Sequence, residues 1–359
     1  MEKNIDFKRI FEEAMEKLGK VNIIIAGKTG VGKSTLLNAV FGEDLAVTGT
    51  GKPVTQTMKE YSKEGTFYHI FDTKGFELDS YKSMKDDLVA EIQKRRTNDP
   101  KEHIHIMWYC IENNSARFEG SEQEFIKEIA REIPVVVVLT KAYTKDLTLY
   151  NTIKDELFKV NNVNVNRVVA LPTEIDENYT IPAKGLNELI EVTYENIPEA
   201  AQSAFVAAQK VNEEIRQKAV NKAITIAVSA AAAVSATPIP FSDAVLLAPI
   251  QIGMFARISS LYGLKLSEGF LSTLVTSAAG VLVGTIAGRI IVTNLIKLIP
   301  GVGSIVGGVI SAGTAGVLTT IMGKAYAKTL ETIVDNGVEL APEAIGEEFK
   351  EQLKLSKYE

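Results

Sequence analysis

Residues 22–42, NIIIAGKTGVGKSTLLNAVFG, decide the fold. They contain the pattern G-x-x-x-x-G-K-S from Gly27 to Ser34, after an apolar β-branched run and before a helix-forming run. Glycines let the backbone wrap closely around an anion, partly at φ > 0, so that successive N–H groups and the start of the helix face it. The stretch therefore predicts a phosphate-binding loop between a buried strand and a helix. A glycine-rich turn without a ligand is the alternative.

Two side chains in this loop carry the expected chemistry. The ammonium group of Lys33 supplies a positive charge to the β and γ phosphates of a nucleotide, and the Ser34 hydroxyl is a magnesium ligand. We therefore predict a catalytic role for Lys33 and a metal site at Ser34. The predicted phosphate-binding residues are Gly27, Lys28, Thr29, Gly30, Val31, Gly32, Lys33, Ser34 and Thr35.

A second motif, HIFDTKGF at residues 69–76, extends the predicted site. A strand is expected to end at Asp72, whose carboxylate holds Mg²⁺ through water, and Gly75 lets a backbone N–H swing to the γ-phosphate. The hydroxyl-rich segment between the two motifs supplies a further metal ligand, for which we favour Thr55 over Thr57. An ordinary polar loop is the alternative there. The predicted catalytic residues are thus Lys33, Thr55 and Gly75, and the predicted metal ligands are Ser34, Thr55 and Asp72.

The chain divides into two halves of different composition. Residues 1–198 alternate short apolar runs, typical of buried parallel strands, with helical patterns after an N-terminal amphipathic helix. This alternation predicts a doubly wound α/β domain. Residues 199–359 predict an Ala/Gly-rich, all-α domain that starts with one polar helix over residues 200–222.

Charge and cysteine content narrow the function classes. The formal net charge of -6 argues against a general nucleic-acid binder. The single cysteine, Cys110, excludes an intramolecular disulfide and a cysteine-based metal site. His103 and His105 flank Ile104 next to the apolar run IMWYC, and this strand-like alternation favours structural packing over metal binding. The N-terminus lacks an apolar signal core, so we expect a cytoplasmic protein.

The motifs GKTGVGKST, PVTQT, DTKG and LTKA together resemble an Era-like GTPase domain of the translation-factor class. The segments PIPFSDAVLLAPIQIGMFARISSLYGLKLS and LIPGVGSIVGGVISAGTAGVLTTIMG are similar to a C-terminal hydrophobic helical domain of uncharacterised function in bacterial GTPases. The resemblance implies a protein that hydrolyses GTP to GDP and phosphate with Mg²⁺. It also implies that base recognition involves Thr140, Lys141, Ala170 and Leu171.

Departures from the family pattern qualify this expectation. The family places a base-reading Asp where this chain has Tyr143, and Asp146 lies three residues further on. We still expect GTP to bind, with weak selectivity over ATP. Phe76 stands where Ras-like proteins have a water-orienting glutamine, which predicts slow turnover. Arg95 and Arg96 are expected to be surface charges rather than an arginine finger.

Two functions remain open for the C-terminal half. One is a slow nucleotide-dependent switch that recruits an unknown protein partner. The other is an effector whose uncharged stretches, residues 223–242, 269–288 and 298–323, insert into or lie on a membrane at its inner face. Gln251 is expected to be exposed or to belong to a polar seam. The sequence also leaves open whether the chain forms a homodimer.

Overall fold

The computed structural model describes the chain in segments. They are residues 19–42, 52–53, 58–62, 67–73, 81–97, 99–115, 117–235, 243–264, 312–335 and 341–355. The contacts divide the chain into two compact units, Gly19–Ile215 and Arg216–Glu359. The N-terminal helix predicted before Gly19 lies outside the described residues, as do residues 269–288.

The first unit is built on a mixed seven-stranded sheet. Its strands are β1 (Val21–Ala26), β2 (Lys52–Pro53), β3 (Met58–Ser62), β4 (Tyr68–Thr73), β5 (Ile106–Glu112), β6 (Val135–Thr140) and β7 (Val163–Arg167), in the order β2-β3-β4-β1-β5-β6-β7. The strands β4, β1, β5, β6 and β7 are parallel, whereas β3 pairs antiparallel with β4 and β2 with β3. Every residue of β1 and β6 is buried, as expected for central strands covered on both faces. The predicted α/β fold class is confirmed.

Helices cover this sheet. They are α1 (Lys33–Phe41), α2 (Tyr81–Arg96), α3 (Gly120–Ile129), α4 (Thr148–Leu157), α5 (Leu186–Asn196) and α6 (Glu199–Ala208). On one face, the ring of Phe41 stacks on Tyr68 at 4.8 Å and lies 6.1 Å from Trp108. On the other face, Phe125 packs against Tyr109 at 5.7 Å. Large aromatic side chains therefore pack on both faces of the sheet.

A short hairpin, which the sequence did not reveal, follows β7. Its strands are β8 (Thr173–Asp176) and β9 (Tyr179–Ile181), which pair antiparallel. The hairpin is largely exposed, including the side chains of Ile175 and Tyr179. Because the run is polar and Pro172 precedes it, no apolar periodicity marked it as a strand pair.

The single polar helix predicted over residues 200–222 is wrong, because the structure breaks it between α6 and α7 (Glu213–Ser235). The fully buried Gln209 has an extended backbone, and its Oε1 accepts hydrogen bonds from the N–H groups of Val211 and Asn212, at 2.8 and 2.7 Å. The Asn212 side chain then accepts from the N–H of Ile215 and caps α7. These side-chain bonds replace the helical backbone bonds and end α6.

The second unit is helical in its described part. It contains most of α7, with α8 (Asp243–Leu261), α9 (Ala312–Asp335) and α10 (Pro342–Leu355). Its core includes an aromatic cluster: the ring of the buried Tyr326 lies 4.8 Å from Phe255 and 5.5 Å from Phe349, and its hydroxyl is 2.6 Å from that of Ser259. A helical C-terminal region is therefore confirmed.

Small residues bring these helices close together. A Cβ atom at Gly323 would lie 2.8 Å from a side-chain carbon of Ile224 and 2.9 Å from the Met254 sulfur, so a larger residue where α7, α8 and α9 meet would force these side chains to shift. Gln251, expected at the surface or in a seam, is buried on α8. Within the described segments, no helix is both long enough and apolar enough to span a bilayer.

Candidate nucleotide-binding site

The phosphate loop follows β1 and owes its shape to glycine. Gly27, Gly30 and Gly32 have φ angles of 137°, 82° and 100°, which side-chain-bearing residues rarely adopt. A Cβ atom at Gly27 would lie 2.2 Å from the carbonyl oxygen of Cys110, so a larger residue cannot fit there. At Gly30, by contrast, no atom lies within 4 Å of that position. The loop therefore needs glycine for packing at its start and for backbone angle at its middle.

Helix α1 begins in this loop without a side-chain cap. Gly32 occupies the N-cap position in a left-handed conformation, and the first turn contains no acidic residue. The N–H groups and positive dipole end of α1 therefore remain available to an anion. The Lys33 ammonium group lies over the same loop, donating to the carbonyl oxygens of Gly27 and Lys28 at 2.8 and 3.1 Å.

A cavity of about 480 Å³ opens in front of this loop. Its lining residues are Thr29, Gly30, Gly32, Lys33, Ser34, Thr35, Lys59, Tyr61, Asp72 and Thr73. The structure thus places the predicted residues Lys33, Ser34 and Asp72 around one space. Lys59 and Tyr61 were not predicted, because their position depends on how the edge strand β3 pairs with β4.

Asp72 fits a magnesium site in this cavity. Burial raises the pKa of its carboxyl group, and the ammonium groups of Lys33 and Lys59 act in the opposite direction. Its Oδ1 atom is buried and has no hydrogen-bond partner among the described residues. A carboxylate oxygen and the nearby Ser34 hydroxyl are ligands that Mg²⁺ accepts. Thr55, Thr57 and Gly75 lie outside the described residues.

The side chain of Lys28 serves a different purpose from that of Lys33. Its ammonium group donates to Glu119 at 2.8 Å, where Glu119 and Glu122 form the capping box of α3. The buried Glu122 in turn accepts from the Tyr109 hydroxyl. Lys28 thus fixes the phosphate loop to the start of α3, and its predicted nucleotide contact is left to the backbone.

Thr140 and Lys141 hold the predicted base-side loop against the phosphate loop. The Thr140 hydroxyl is within hydrogen-bond distance of the carbonyl oxygens of Val31 and Ile111. Lys141 has a left-handed backbone with φ of 51°. Its ammonium group donates to the Gly30 carbonyl at 3.0 Å and pairs with Glu112 at 3.1 Å. Both predicted residues therefore touch the phosphate loop directly.

Tyr143 and Asp146 both have partners among the described residues. Tyr143 is partly buried against a small cluster formed by Ala142, Val169 and Ile181. Asp146 is exposed, and one of its oxygens accepts from both the N–H and the hydroxyl of Thr148, at 2.8 and 2.7 Å. These hydrogen bonds lower its pKa and start helix α4.

The loop after β7 carries the other two residues predicted near the base. Ala170 is partly buried and Leu171 is exposed, and the Leu171 carbonyl accepts from the Thr173 hydroxyl at 3.2 Å. Their proposed backbone contact with a base stays a prediction.

The expectation that Arg95 is a surface charge is wrong. Its side chain is 13% exposed, and its guanidinium group lies 4.5 Å from the centre of the Phe71 ring. It pairs with Glu91 at 2.7 Å and with Glu60 at 3.7 Å. Arg96 is half exposed and pairs with Glu132. Neither arginine lines the cavity.

Two sequence families match this chain. Residues 22–141 match the family described as 50S ribosome-binding GTPase, and residues 199–357 match a domain of unknown function, DUF697. The fold and the loop geometry define a P-loop nucleotide-binding protein, and the matches refine this class. The chain joins an Era-like P-loop GTPase domain to a C-terminal DUF697 domain.

Individual relatives match about a third of the chain. Magnetosome membrane protein 22 of Magnetospirillum gryphiswaldense is 35% identical over 130 residues, or 36% of this chain and 66% of that protein. GTP-binding protein A of Dictyostelium discoideum is 33% identical over 115 residues, or 31% of this chain and 24% of that protein. GTPase Era of Neisseria meningitidis is 23% identical over 121 residues, covering 33% and 37% of the two chains.

Each of these matches therefore spans less than two thirds of the relative's own length. Among solved structures, a probable GTP-binding protein engB is 20% identical and covers 49% of this chain and 97% of its own, with a TM-score of 0.34.

Proposed function

We propose that this chain binds GTP with Mg²⁺ and hydrolyses it slowly to GDP and phosphate, as a switch read by its C-terminal helical unit. The observation that carries the proposal is the arrangement around the cavity. The glycine loop leaves the N-terminus of α1 uncapped, and the Lys33 ammonium group lies over that loop. The Oδ1 atom of Asp72 is buried and has no hydrogen-bond partner among the described residues.

The site's own residues account for phosphate binding. Backbone N–H groups at the start of α1 donate hydrogen bonds to the phosphate oxygens, because no capping side chain competes for these donors. The Lys33 ammonium group exchanges its carbonyl partners at Gly27 and Lys28 for phosphate oxygens, a contact between opposite charges that is stronger than the one it replaces. Ser34 and Asp72 hold Mg²⁺, with Thr55 as a further predicted ligand. When bound, this ion neutralises charge on the phosphates.

Slow turnover follows from the residues after Asp72. The predicted role of Gly75 is to offer a backbone N–H to the γ-phosphate, but the next residue, Phe76, has no group that orients water. Among the described residues, the cavity lining contains no arginine to neutralise the charge that develops on the transferred phosphate. We therefore expect a partner or another group to be needed for fast hydrolysis.

Weak base selectivity follows from the loop after β6. Guanine offers an N–H and an amino group as donors, and a carboxylate is the acceptor that pairs with both. Asp146 is the carboxylate of this loop, and it is already bonded to Thr148. The test is binding of fluorescent GTP, GDP and ATP analogues with Mg²⁺, beside Lys33→Ala.

Either outcome of this test is informative. Guanine-selective binding that is lost in Lys33→Ala supports a GTPase whose base is read by other groups. Equal binding of the ATP analogue changes the assignment to a nucleoside triphosphatase of broad selectivity. Binding that survives in Lys33→Ala contradicts the proposal, because the phosphate loop then has no part in it.

Helix α1 connects the phosphate loop to the turn before α7. This helix starts at the phosphate loop, and near its far end the Val40 carbonyl accepts a hydrogen bond of 2.8 Å from the N–H of Lys210. Lys210 lies in the turn that joins α6 to α7, between the buried Gln209 and Asn212. Helix α6 also packs against β1 and β4, the strands that lead to the phosphate loop and to Asp72. A shift of α1 therefore acts directly on the start of α7.

Hydrogen exchange tests this coupling. We expect the amides of Lys210–Ile215 to exchange at different rates with GDP and with a non-hydrolysable GTP analogue. The amides of Asn151–Leu157 in α4 serve as the internal control, because this helix contributes no residue to the cavity or to the turn. Identical exchange at Lys210–Ile215 in both states would refute the coupling while leaving nucleotide binding untouched.

The alternative function is a nucleotide-gated effector that associates with a membrane. Its support is the name of one relative, a magnetosome membrane protein, together with the uncharged stretches of residues 223–242, 269–288 and 298–323. Liposome flotation with and without the GTP analogue separates the two functions. Absence of flotation in both states would exclude the effector.

A further inference from the structure

Lys59 lies in the phosphate cavity although no motif marked it. It is on β3, directly opposite Asp72 of β4 in the antiparallel register. Partners in such a register point to the same face of a sheet, and both side chains line the cavity with Lys33 and Ser34. Tyr61, two residues further along the same strand, lines the same wall. The edge strand thus adds one cation to the site.

The order of the strands shows which end of a nucleotide this cation faces. The phosphate loop follows β1, and the base-side loop with Lys141 follows β6, two strands away through β5. Asp72 and Lys59 lie on β4 and β3, one and two strands away in the opposite direction. A nucleotide that reaches from Lys141 across the phosphate loop therefore extends its terminal phosphate toward β4 and β3.

The charges on the β4 and β3 side of the cavity favour the binding of a negatively charged group there. Among the cavity's lining residues, Asp72 is the acid, and Lys33 and Lys59 are the cations. Lys33 is engaged with the loop carbonyls at the centre of the cavity. Within the described segments, Lys59 forms no ion pair that would neutralise it. The terminal phosphate is the group by which a nucleoside triphosphate differs from a diphosphate.

We propose that Lys59 is a second phosphate-binding cation, which contacts the terminal phosphate and makes the site prefer nucleoside triphosphate over diphosphate. This inference rests on the proposed function, because it takes the cavity as the nucleotide site. It adds a residue by which the protein distinguishes the two states of its switch. Lys33 contacts the phosphates of both the diphosphate and the triphosphate, whereas Lys59 contacts only the terminal phosphate of the triphosphate.

The test compares two affinities in each variant. Dissociation constants for GDP and for a non-hydrolysable GTP analogue are measured with Mg²⁺ in wild type, Lys59→Met, Lys59→Arg and Lys159→Met. Lys159→Met removes the same charge from an exposed position just after α4. The expected result is a loss of about fivefold to tenfold for the GTP analogue in Lys59→Met, with GDP binding changed less than twofold.

The two controls make the result specific. Lys59→Arg keeps the charge and is expected to keep the preference for triphosphate within about threefold, and Lys159→Met is expected to change neither constant. The inference is overturned if Lys59→Met weakens both ligands equally, changes neither, or behaves like Lys59→Arg. Because Lys59 is exposed, folding is expected to survive, and circular dichroism checks it. If Lys59→Met fails to fold, Lys59→Gln provides the same comparison. A wild-type protein that binds no nucleotide refutes the proposed function itself.

Discussion

The ammonium group of Lys141 donates a hydrogen bond to the carbonyl oxygen of Gly30, 3.0 Å away, and pairs with the Glu112 carboxylate at 3.1 Å. These two contacts join the loop after β6 to the phosphate loop after β1. The two loops are far apart in the chain, so this lysine fixes their relative position.

Replacing Lys141 by methionine is expected to weaken GDP binding about tenfold, because a hydrogen bond from a charged donor contributes about 1.5 kcal/mol. Fluorescence titration measures this change. Lys145→Met is the matched control, since Lys145 lies exposed in the same loop. Equal losses in the two variants would show that general charge, and not the contact with Gly30, supports binding.

Two glycines of the phosphate loop are expected to respond differently to alanine. In Gly27→Ala the new Cβ meets the Cys110 carbonyl at 2.2 Å, so the free energy of unfolding falls by about 3 kcal/mol or more. In Gly30→Ala the Cβ enters open space and costs about 1–2 kcal/mol, for the left-handed backbone alone. Urea denaturation of both variants measures the difference. Equal costs would mean that backbone angle alone requires glycine in this loop.

The buried Gln209 is expected to be essential for the turn between α6 and α7. Gln209→Ala leaves the N–H groups of Val211 and Asn212 and the Asn212 carbonyl without the partners they have now. We expect the free energy of unfolding to fall by about 2–4 kcal/mol. Gln123→Ala, at an exposed pair with Glu156, is expected to cost less than about 0.5 kcal/mol. A cost as small for Gln209→Ala would contradict this account of the helix break.

Stability is expected to fall in mild acid because of His105. Burial lowers its pKa from 6.5 to about 4, and its Nδ1 accepts a hydrogen bond from the Asn22 N–H at 2.9 Å. The unfolded chain therefore binds a proton between pH 6.5 and 4 that the folded chain does not. Stability from this group is present above pH 6.5 and is lost as the pH falls toward 4.

Between pH 7 and pH 5 the loss from His105 amounts to about 2 kcal/mol, measured by urea denaturation at the two pH values. His105→Gln keeps an acceptor but does not titrate, so the loss is expected to shrink by about that amount. The pKa of His69 is also lowered to about 4, so the free energy of unfolding of the variant still falls between pH 7 and pH 5, but by less. If His105→Gln loses as much stability between pH 7 and pH 5 as the wild type, His105 is not the group responsible.

Local patterns were sufficient to predict the phosphate loop and the parallel strands. Residues 22–42 combine a strand, a glycine turn and a helix within one continuous segment, and the structure has these elements in that order. The run VVVVLT likewise became the fully buried β6. Signals of this kind are local, and burial on both faces makes them strong.

Features that depend on pairing between distant residues were missed. Lys59 enters the cavity only because β3 pairs with β4 in a particular register. Arg95 is buried by the ring of Phe71, which the pattern of its own helix does not reveal. The break at Gln209 was missed for a different reason: glutamine is a good helix former, and only its burial turns its side chain back onto the backbone.

The hydroxyl group of Thr140 faces two acceptors, the carbonyl oxygens of Val31 and Ile111, and it has one proton to donate. The two carbonyl oxygens therefore share a single proton. In this protein the phosphate loop and the strand β5 share one hydrogen-bond donor. A shift of the Val31 carbonyl therefore changes the hydrogen bond that Thr140 makes to the Ile111 carbonyl.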